Sequence, residues 1–230
     1  MSFIVKNTTF PGLLDLLVPH SCRGCGLTGE PLCNRCKNYI LKAHKNICPN
    51  CKKEKSSSTC KNCSDLPPLY VISDRNGLLG PLIHDYKYYS IRALGRPLAE
   101  LLSTCLPQDL PKGSILVPLP TSTRHVRSRG FDHTYLIAKS LSKLRHLPLE
   151  RVLIRNKNTT QVGSNREKRL SQASSAYQIN PKAKIDPAKT YILLDDIWTT
   201  GASIKAAVKK LQQAGAKNIQ IALLAYSIKD

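Results

Sequence analysis

The stretch "YILLDDIWTTGAS", residues 191–203, is the most informative part of the sequence for the architecture of the protein. Its first four residues favour a buried β-strand, and two adjacent aspartates, Asp195 and Asp196, follow them directly. A tryptophan, two threonines, a glycine and two small residues come next, before a stretch rich in alanine and lysine. A buried strand that ends on carboxylates and leads through a small-residue loop into a helix is typical of a ligand site at the carboxyl edge of a parallel sheet.

The loop after the aspartates has the chemistry of a phosphate site. Backbone N–H groups at a helix N-terminus form an anion nest, and the helix dipole favours negative charge there. Gly201 allows the close approach of a phosphate, while the carboxylates can accept hydrogen bonds from sugar hydroxyls or reach a magnesium ion. The stretch therefore predicts a cradle for ribose 5-phosphate. Trp198 either packs beneath this loop or offers a face to a base.

The remainder of the chain after residue 66 alternates between strand and helix patterns. We predict strands over residues 69–73, 114–120, 151–155, 191–196 and 218–227. We predict helices over residues 77–89, 92–105, 132–144 and 203–215, the last closed by Gly215. Alternation of this kind, with nearly continuous apolar strands, predicts an α/β fold with a parallel sheet covered by helices on both faces.

Eight of the nine cysteines lie before residue 64 and form four C-x2-C pairs. These are Cys22 with Cys25, Cys33 with Cys36, Cys48 with Cys51, and Cys60 with Cys63. Two such pairs complete a tetrahedral shell of four thiolates, which suits zinc, so the spacing predicts two structural Zn2+ ions in a double zinc ribbon. Sequential pairing along the chain is the simpler arrangement, and a cross-braced one stays open. Cys105 ends a helical pattern and is expected to be a small buried hydrophobe.

Charge and length limit the class of protein. The 230 residues carry a net charge of +20, which favours a polyanion or a phosphorylated ligand as a partner. The densest basic segment is 121–170, with 12 basic and 3 acidic residues. We predict two units: an N-terminal helix with the double zinc ribbon over 1–66, and the α/β domain over 67–230.

No segment has the ~20 consecutive apolar residues that a transmembrane helix needs. The apolar stretch 10–20 is short, contains two prolines and an aspartate, and is expected to be a helix that packs on the body. From these features we expect a cytoplasmic location.

Several motifs resemble known families. "DDIWTTGAS" resembles the phosphoribosyl pyrophosphate loop of type I phosphoribosyltransferases. "VPLPTSTRHVRSRGFDH", "HDYKYYSIRALGRPLA" and "LIRNKNTTQVGSNREKRLSQASSAYQI" resemble segments of the competence protein ComF family, with its close relatives ComFC and GntX. Members of that family also begin with a double zinc ribbon, so the resemblance extends from about residue 10 to residue 227.

Three positions depart from the family's pattern. The family's F-N-Q is here Phe131-Asp132-His133, its R-x-x-N is 169–172 with Gln172 last, and Tyr177 replaces a phenylalanine. These residues retain hydrogen-bonding capacity, but roles in that block transfer less directly.

The resemblance implies a phosphoribosyltransferase-like domain that binds phosphoribosyl pyrophosphate and Mg2+. It implies 5-phosphate contacts from Thr199, Thr200, Gly201, Ala202 and Ser203. It implies ribose contacts from Asp195 and Asp196, and a pyrophosphate-facing loop over Thr121 to Arg124. The polar segment 156–170 is similar to the mobile loop that closes such sites. No base-binding segment is recognisable, so the acceptor and the occurrence of catalysis stay open.

The same resemblance implies a role in natural transformation, in which single-stranded DNA enters the cytoplasm with the ComFA helicase and passes toward a recombination mediator. Cations and aromatic rings suit single-strand binding. The candidate DNA contacts are Arg124, Arg127, Arg129, Lys87, Tyr88, Arg166 and Arg169. Two other classes remain: an active phosphoribosyltransferase of nucleotide or base salvage without a DNA role, and an adaptor that docks a protein partner through its zinc ribbon.

Overall fold

The centre of the molecule is a parallel sheet of four strands. We analysed a computed structural model, which describes residues 20–43, 46–63, 65–156 and 176–227. The sheet strands are β3 (Leu69–Asp74), β4 (Ile115–Pro118), β7 (Thr190–Trp198) and β8 (Asn218–Tyr226). Their spatial order is β3-β8-β7-β4. The predicted parallel sheet is confirmed, and the strand that carries the two aspartates is one of its two central strands.

Helices cover both faces of this sheet, as the apolar strands predicted. The helices are α1 (Asn34–Lys42), α2 (Leu79–Tyr88), α3 (Gly95–Cys105), α4 (Thr123–Arg129), α5 (His133–Arg145) and α6 (Ala202–Gln213). On one face Ile192 and Leu194 pack with α2, α3 and α5. On the other face Tyr191 and Leu193 pack with α6. Because successive residues of β7 point to opposite covered faces, the strand is apolar from Tyr191 to Leu194, directly before the aspartates.

Two helices were not predicted, and both have a physical reason. The helix α1 lies inside the cysteine-rich segment and buries only Cys36 and Ile40, so its apolar face is narrow and one of the two residues belongs to the cysteine pattern. The helix α4 follows the strand that ends at Pro118, where the sequence predicted a loop over Thr121 to Arg124. Its N-cap is Ser122, whose hydroxyl accepts a hydrogen bond from the His125 N–H, and only polar residues surround this start.

The predicted strand 151–155 forms, but it does not join the central sheet. Its ordered part, β5 (Leu153–Arg155), pairs antiparallel with β6 (Tyr177–Ile179) in a separate two-stranded sheet. A five-residue strand with apolar and basic side chains has the same sequence pattern in a central sheet and in a separate two-stranded sheet. The pattern does not specify the strand with which it pairs. The chain between these two strands, 157–175, and the predicted N-terminal helix up to residue 19 lie outside the described residues.

The cysteine-rich segment packs against the α/β body through apolar and polar contacts, and its buried Leu32 and Ile40 belong to the same hydrophobic cluster as Leu82 and Leu98 of the body. It contains a short antiparallel pair, β1 (His20–Ser21) and β2 (Thr28–Gly29), in addition to α1. Arg23 forms an ion pair with Asp85 at 2.7 Å, and Lys37 forms one with Glu100 at 2.6 Å. None of the helices in the described ranges has the length and apolarity that a membrane crossing requires. The division of the chain at residue 66 stays a prediction.

Candidate functional site

The two aspartates lie near the carboxyl end of β7, next to the end of β4. The strand continues past them to Trp198, so the pair lies inside the paired strand and not at its last residue. The chain after β4 stays close, because the Leu119 N–H donates to the Leu194 carbonyl at 2.8 Å. Asp196 is buried, with 6% of its surface exposed, while Asp195 is partly covered. The sheet therefore places the carboxylates beside the segment that begins at Thr121.

The loop after β7 is shaped by Gly201 and Trp198. Gly201 has a φ of 74° and precedes the first residue of α6. A Cβ at this position would lie 2.1 Å from the indole Cζ2 atom of Trp198, which is 1% exposed. Trp198 thus packs beneath the loop, which confirms one of its two interpretations. The indole and the left-handed backbone, independently of any phosphate, therefore favour glycine at position 201.

Asp196 is held by two side chains from other elements. Its Oδ2 atom lies 2.7 Å from the Lys87 Nζ atom of α2 and 2.5 Å from the His133 Nε2 atom of α5. Burial opposes the charge of Asp196, but the hydrogen bond from His133 and the Lys87 ammonium outweigh it and hold its pKa below the ordinary value. Asp196 is therefore a charged internal anchor.

Asp195 has the opposite electrostatic character. Its Oδ1 atom accepts a hydrogen bond from the Asp196 N–H at 2.9 Å. Burial, and then repulsion from the charged Asp196, raise the pKa of Asp195 to about 8. Near neutral pH the pair thus contains one carboxylate and one carboxylic acid, and the acid can donate a hydrogen bond to a ligand oxygen.

Asp132 and His133, which stand where the ComF family has N and Q, both make polar contacts in the structure. Asp132 caps α5 by accepting from the Tyr135 N–H at 3.2 Å, and it also accepts from the Thr121 hydroxyl at 3.0 Å. His133 lies between Arg129 Nη1, 2.9 Å from its Nδ1 atom, and Asp196. Asp132 and His133 therefore make polar contacts that join α5 to Thr121, to α4 and to β7.

The space beside these residues is open and electropositive. A cavity of about 190 Å³ and a neighbouring one of about 440 Å³ are both lined by Lys87, Tyr88, His125, Asp195, Asp196 and Ser203. Partial desolvation, followed by repulsion from Arg129, Arg155 and Lys87, lowers the pKa of His125. The lowered pKa of His125 indicates a positive electrostatic potential at this position, which suits an anionic ligand.

The residues predicted to bind phosphoribosyl pyrophosphate are partly brought together. Thr121 lines the smaller cavity and Thr199 the larger one, together with both aspartates and Ser203. Thr200 is exposed, and its hydroxyl lies 3.4 Å from the Ala202 backbone nitrogen. Arg124 is exposed on α4 and lies in neither lining, although its charge is felt at His125.

Some of the candidate DNA contacts are exposed, and others already make contacts inside the protein. Arg124, Arg127 and Tyr88 are exposed. Arg129 is 8% exposed and bonded to His133, and Lys87 is paired with Asp196, so both already have internal roles. Arg166 and Arg169 lie outside the described residues.

Sequence reasoning missed four polar residues of the site: His125, His133, Arg155 and Tyr177. All four line the smaller cavity, and the Arg155 Nη1 atom lies 3.3 Å from the Tyr177 hydroxyl. A usable signal existed for His133 and Tyr177, since both are positions where the chain departs from the family's pattern. Arg155 ends a predicted strand and carried no such mark.

The eight paired cysteines form two groups in sequential order. One group is Cys22, Cys25, Cys33 and Cys36, and the other is Cys48, Cys51, Cys60 and Cys63. Within each group the sulfur atoms all lie within 4.8 Å of one another; Cys25 and Cys33 are 3.7 Å apart, and Cys51 and Cys60 are 3.5 Å apart. Thiolates at ~2.3 Å from a tetrahedral zinc lie roughly 3.8 Å apart, so both groups fit that ion.

Backbone and side-chain donors complete these groups. The N–H groups of Gly24 and Cys33 point at the Cys22 sulfur, at 3.4 and 3.3 Å. In the second group the Asn50 side-chain amide donates to the Cys63 sulfur at 3.2 Å. Donors of this kind orient thiolates around a metal ion.

Curated relatives support the resemblance stated from the motifs. The chain is 26% identical to the competence protein ComFC of Bacillus subtilis over 201 residues, covering 81% of this chain and 80% of the relative. It is 27% identical to ComFC of Streptococcus pneumoniae over 218 residues, covering 92% and 91%. It is 25% identical to the DNA utilization protein YhgH of Escherichia coli K12, covering 90% and 96%. These similarities confirm the resemblance to the ComF family; no family model matches the chain.

Solved structures give a weaker likeness. The allosteric regulatory enzyme of purine biosynthesis matches with a TM-score of 0.42 and 16% identity, over 61% of this chain and 29% of that enzyme. A hypoxanthine phosphoribosyltransferase from Staphylococcus aureus matches with a TM-score of 0.35 and 14% identity, over 63% and 76%. The fold assignment therefore depends on the order and direction of the strands and on the two cysteine groups.

Proposed function

We propose that this chain, given its resemblance to the ComF family, acts in competence for natural transformation and handles incoming single-stranded DNA in the cytoplasm. In this role its α/β domain binds phosphoribosyl pyrophosphate with Mg2+, and its two cysteine groups each hold a structural zinc ion. The relatives named for competence or for DNA utilization support the cellular role.

One observation carries the ligand proposal. An acid pair, a small-residue loop with Gly201 and the segment at Thr121 meet at the carboxyl edge of one parallel sheet, around an electropositive cavity. The N-terminal N–H groups of α6 offer donors for the 5-phosphate, since the first turn of a helix lacks intrahelical acceptors. The acid pair offers both a donor and acceptors to the ribose hydroxyls.

The ligand proposal is tested by calorimetry with phosphoribosyl pyrophosphate and Mg2+. Wild-type protein is expected to bind, and the double variant Asp195→Ala plus Asp196→Ala is expected to lose that binding. A double variant that removes two carboxyl groups away from the site, Asp109→Ala plus Glu150→Ala, is the control and should bind as wild type does. No heat of binding in the wild-type protein would end the ligand proposal.

The cellular proposal is tested by the transformation frequency of a strain that carries the same acid-pair variant. Loss of transformation, with normal protein levels, would connect the ligand site to DNA uptake. Retained transformation would mean that DNA uptake does not depend on the ligand site, and the site would then have no part in competence.

A catalytically active phosphoribosyltransferase of salvage is the second candidate, and one further cavity favours it. This cavity of about 440 Å³ shares Pro120, Thr121 and Arg155 with the smaller cavity of the acid pair, and its wall includes apolar Val126 and Leu153. An acceptor base has apolar faces and polar edges, which suits such a lining. Release of pyrophosphate in the presence of nucleobases would support this function, and it should be absent if the domain only binds.

A further inference from the structure

The positive charge nearest to the acid pair comes from the protein itself. The Lys87 Nζ atom lies 2.7 Å from Asp196 Oδ2, and the side chains of Lys87 and Asp196 are 15% and 8% exposed. An ion pair this well covered is screened little by solvent, so it is far stronger than a surface pair. Lys87 is in the last turn of α2, where a cation also interacts favourably with the helix dipole.

His133 does not supply that charge. Its Nδ1 atom lies 2.9 Å from Arg129 Nη1, and a guanidinium group can only donate hydrogen bonds. Nδ1 is therefore the acceptor, and the ring hydrogen is on Nε2, which donates to Asp196 at 2.5 Å. A ring in this tautomer is neutral, so the carboxylate of Asp196 is balanced by Lys87.

The other carboxyl group of the pair is poorly suited to a metal ion. The Asp195 Oδ1 atom already accepts from the Asp196 N–H at 2.9 Å, so this oxygen is directed toward the backbone of its own strand. Mg2+ demands a nearly ideal octahedral set of oxygen ligands, and a carboxylate oxygen held in this way is poorly placed to join one. Asp196 Oδ2 is likewise held by Lys87 and His133, so the Lys87 ammonium occupies the place from which a metal ion would approach this carboxylate.

We infer that Lys87 is the counter-cation of the acid pair, and that the pair binds the sugar of a phosphorylated ribose without a divalent cation of its own. This inference rests on the proposed ligand. Mg2+ then reaches the site only as a companion of the ligand's pyrophosphate, and Lys87 is a positioning residue that fixes Asp196 toward the ribose.

Ribose 5-phosphate, which lacks the pyrophosphate, is the probe that tests this inference. Its binding is measured by calorimetry and by the fluorescence of Trp198, the single tryptophan of the chain, in EDTA and in excess Mg2+. The wild-type protein is expected to bind equally in both. Lys87→Met is expected to bind at least about tenfold more weakly in EDTA, the effect of one charged hydrogen bond, and to recover in Mg2+ because the vacated carboxylates can then take the metal. Lys209→Met, at an exposed position of α6, is the control and should match wild type.

The outcomes separate this inference from the function on which it rests. Wild-type binding that requires Mg2+ would overturn the role of Lys87, and so would binding of phosphoribosyl pyrophosphate but not of ribose 5-phosphate. Weak binding by Lys87→Met in both conditions would also overturn it, because Lys87 would then contact the ligand directly. Binding of neither ligand under any condition would instead reject the proposed function. If Lys87→Met does not fold, Lys87→Arg retains the charge and must bind without Mg2+ for the inference to stand.

Discussion

Lys205 of α6 donates a hydrogen bond of 2.8 Å to the Asn50 side-chain oxygen, and the two residues are 155 positions apart in the sequence. The Nδ2–H group of the same Asn50 amide donates a hydrogen bond to the Cys63 sulfur. Lys205 lies near the start of α6, the helix that follows Gly201, and the same Nζ atom is 6.0 Å from the centre of the Trp198 ring. The contacts from Cys63 through Asn50 to Lys205 thus connect the second cysteine group to the helix that follows the candidate phosphate loop.

These contacts lead to a prediction for Asn50→Ala. Loss of the amide removes a donor to the Cys63 thiolate, so zinc in the second group should be held less tightly, by about 10- to 100-fold, as for other residues that support metal ligands. The measurement is the rate and extent of zinc transfer to a chelator, with two equivalents per chain expected in the wild-type protein.

Two controls sharpen that experiment. Asn62→Ala changes an exposed asparagine beside the same group and should leave zinc transfer unchanged. Lys205→Met keeps the Asn50 donor and removes only the link to α6, so it should retain zinc better than Asn50→Ala. Equal zinc retention in Asn50→Ala and Asn62→Ala would mean that the amide does not support the site.

Gly201→Ala is predicted to destabilise the α/β domain. The left-handed backbone costs about 1–2 kcal/mol for an L-residue. The collision of the new Cβ with Trp198, at 2.1 Å, adds about 1–3 kcal/mol of overpacking. Urea unfolding followed by far-UV circular dichroism measures the free energy of unfolding.

Gly77→Ala is the matched control for this substitution. Gly77 has a similar φ of 65°, but a Cβ there would meet no atom within 4 Å. It should therefore lose only the backbone contribution. If both variants lose the same free energy of unfolding, the Trp198 indole yields easily and does not determine the residue at 201.

The raised pKa of Asp195 predicts how stability depends on pH. The folded chain holds a proton on Asp195 between the ordinary aspartate value of 3.8 and about 8, whereas the unfolded chain has lost it. Stability therefore falls as pH rises through this window and changes little above it from this cause. Asp195→Asn should flatten the profile and be relatively more stable at the upper end.

Urea midpoints measured at several pH values across that window test this prediction. Asp109→Asn removes an exposed carboxyl group and should retain the wild-type slope. A slope in Asp195→Asn as steep as in the wild-type protein would place the proton uptake on another residue.

The central sheet could be predicted from the sequence because its strands are buried on both faces and read as apolar runs. The position of Asp195 and Asp196 followed from that pattern, and so did the grouping of the eight cysteines. The helix α4 could not be predicted, because Thr123–Arg129 is polar and starts only through the Ser122 cap. The pairing of Lys87 with Asp196 could not be predicted either, since no local pattern reports which distant elements meet in space.

The division of the basic residues leads to the last prediction, on single-stranded DNA. Arg124 and Arg127 are exposed on α4, whereas Arg129 is buried against His133. If α4 contacts the DNA backbone, Arg124→Ala and Arg127→Ala should each weaken binding and reduce the slope of log affinity against log salt by about 0.7, the release of one counterion from a single strand.

Arg129→Ala should behave differently from these two variants. It removes the donor that fixes the His133 ring, so its main effect should be a lower free energy of unfolding, by about 1–3 kcal/mol, with little change in the salt slope. Arg96→Ala, an exposed arginine on α3, is the control of the same residue type. Fluorescence anisotropy with a labelled oligonucleotide at several salt concentrations gives each slope. Slopes for Arg124→Ala and Arg127→Ala that equal the Arg96→Ala slope would exclude α4 from the DNA surface, because an exposed cation that contacts a phosphate must release a counterion when it binds.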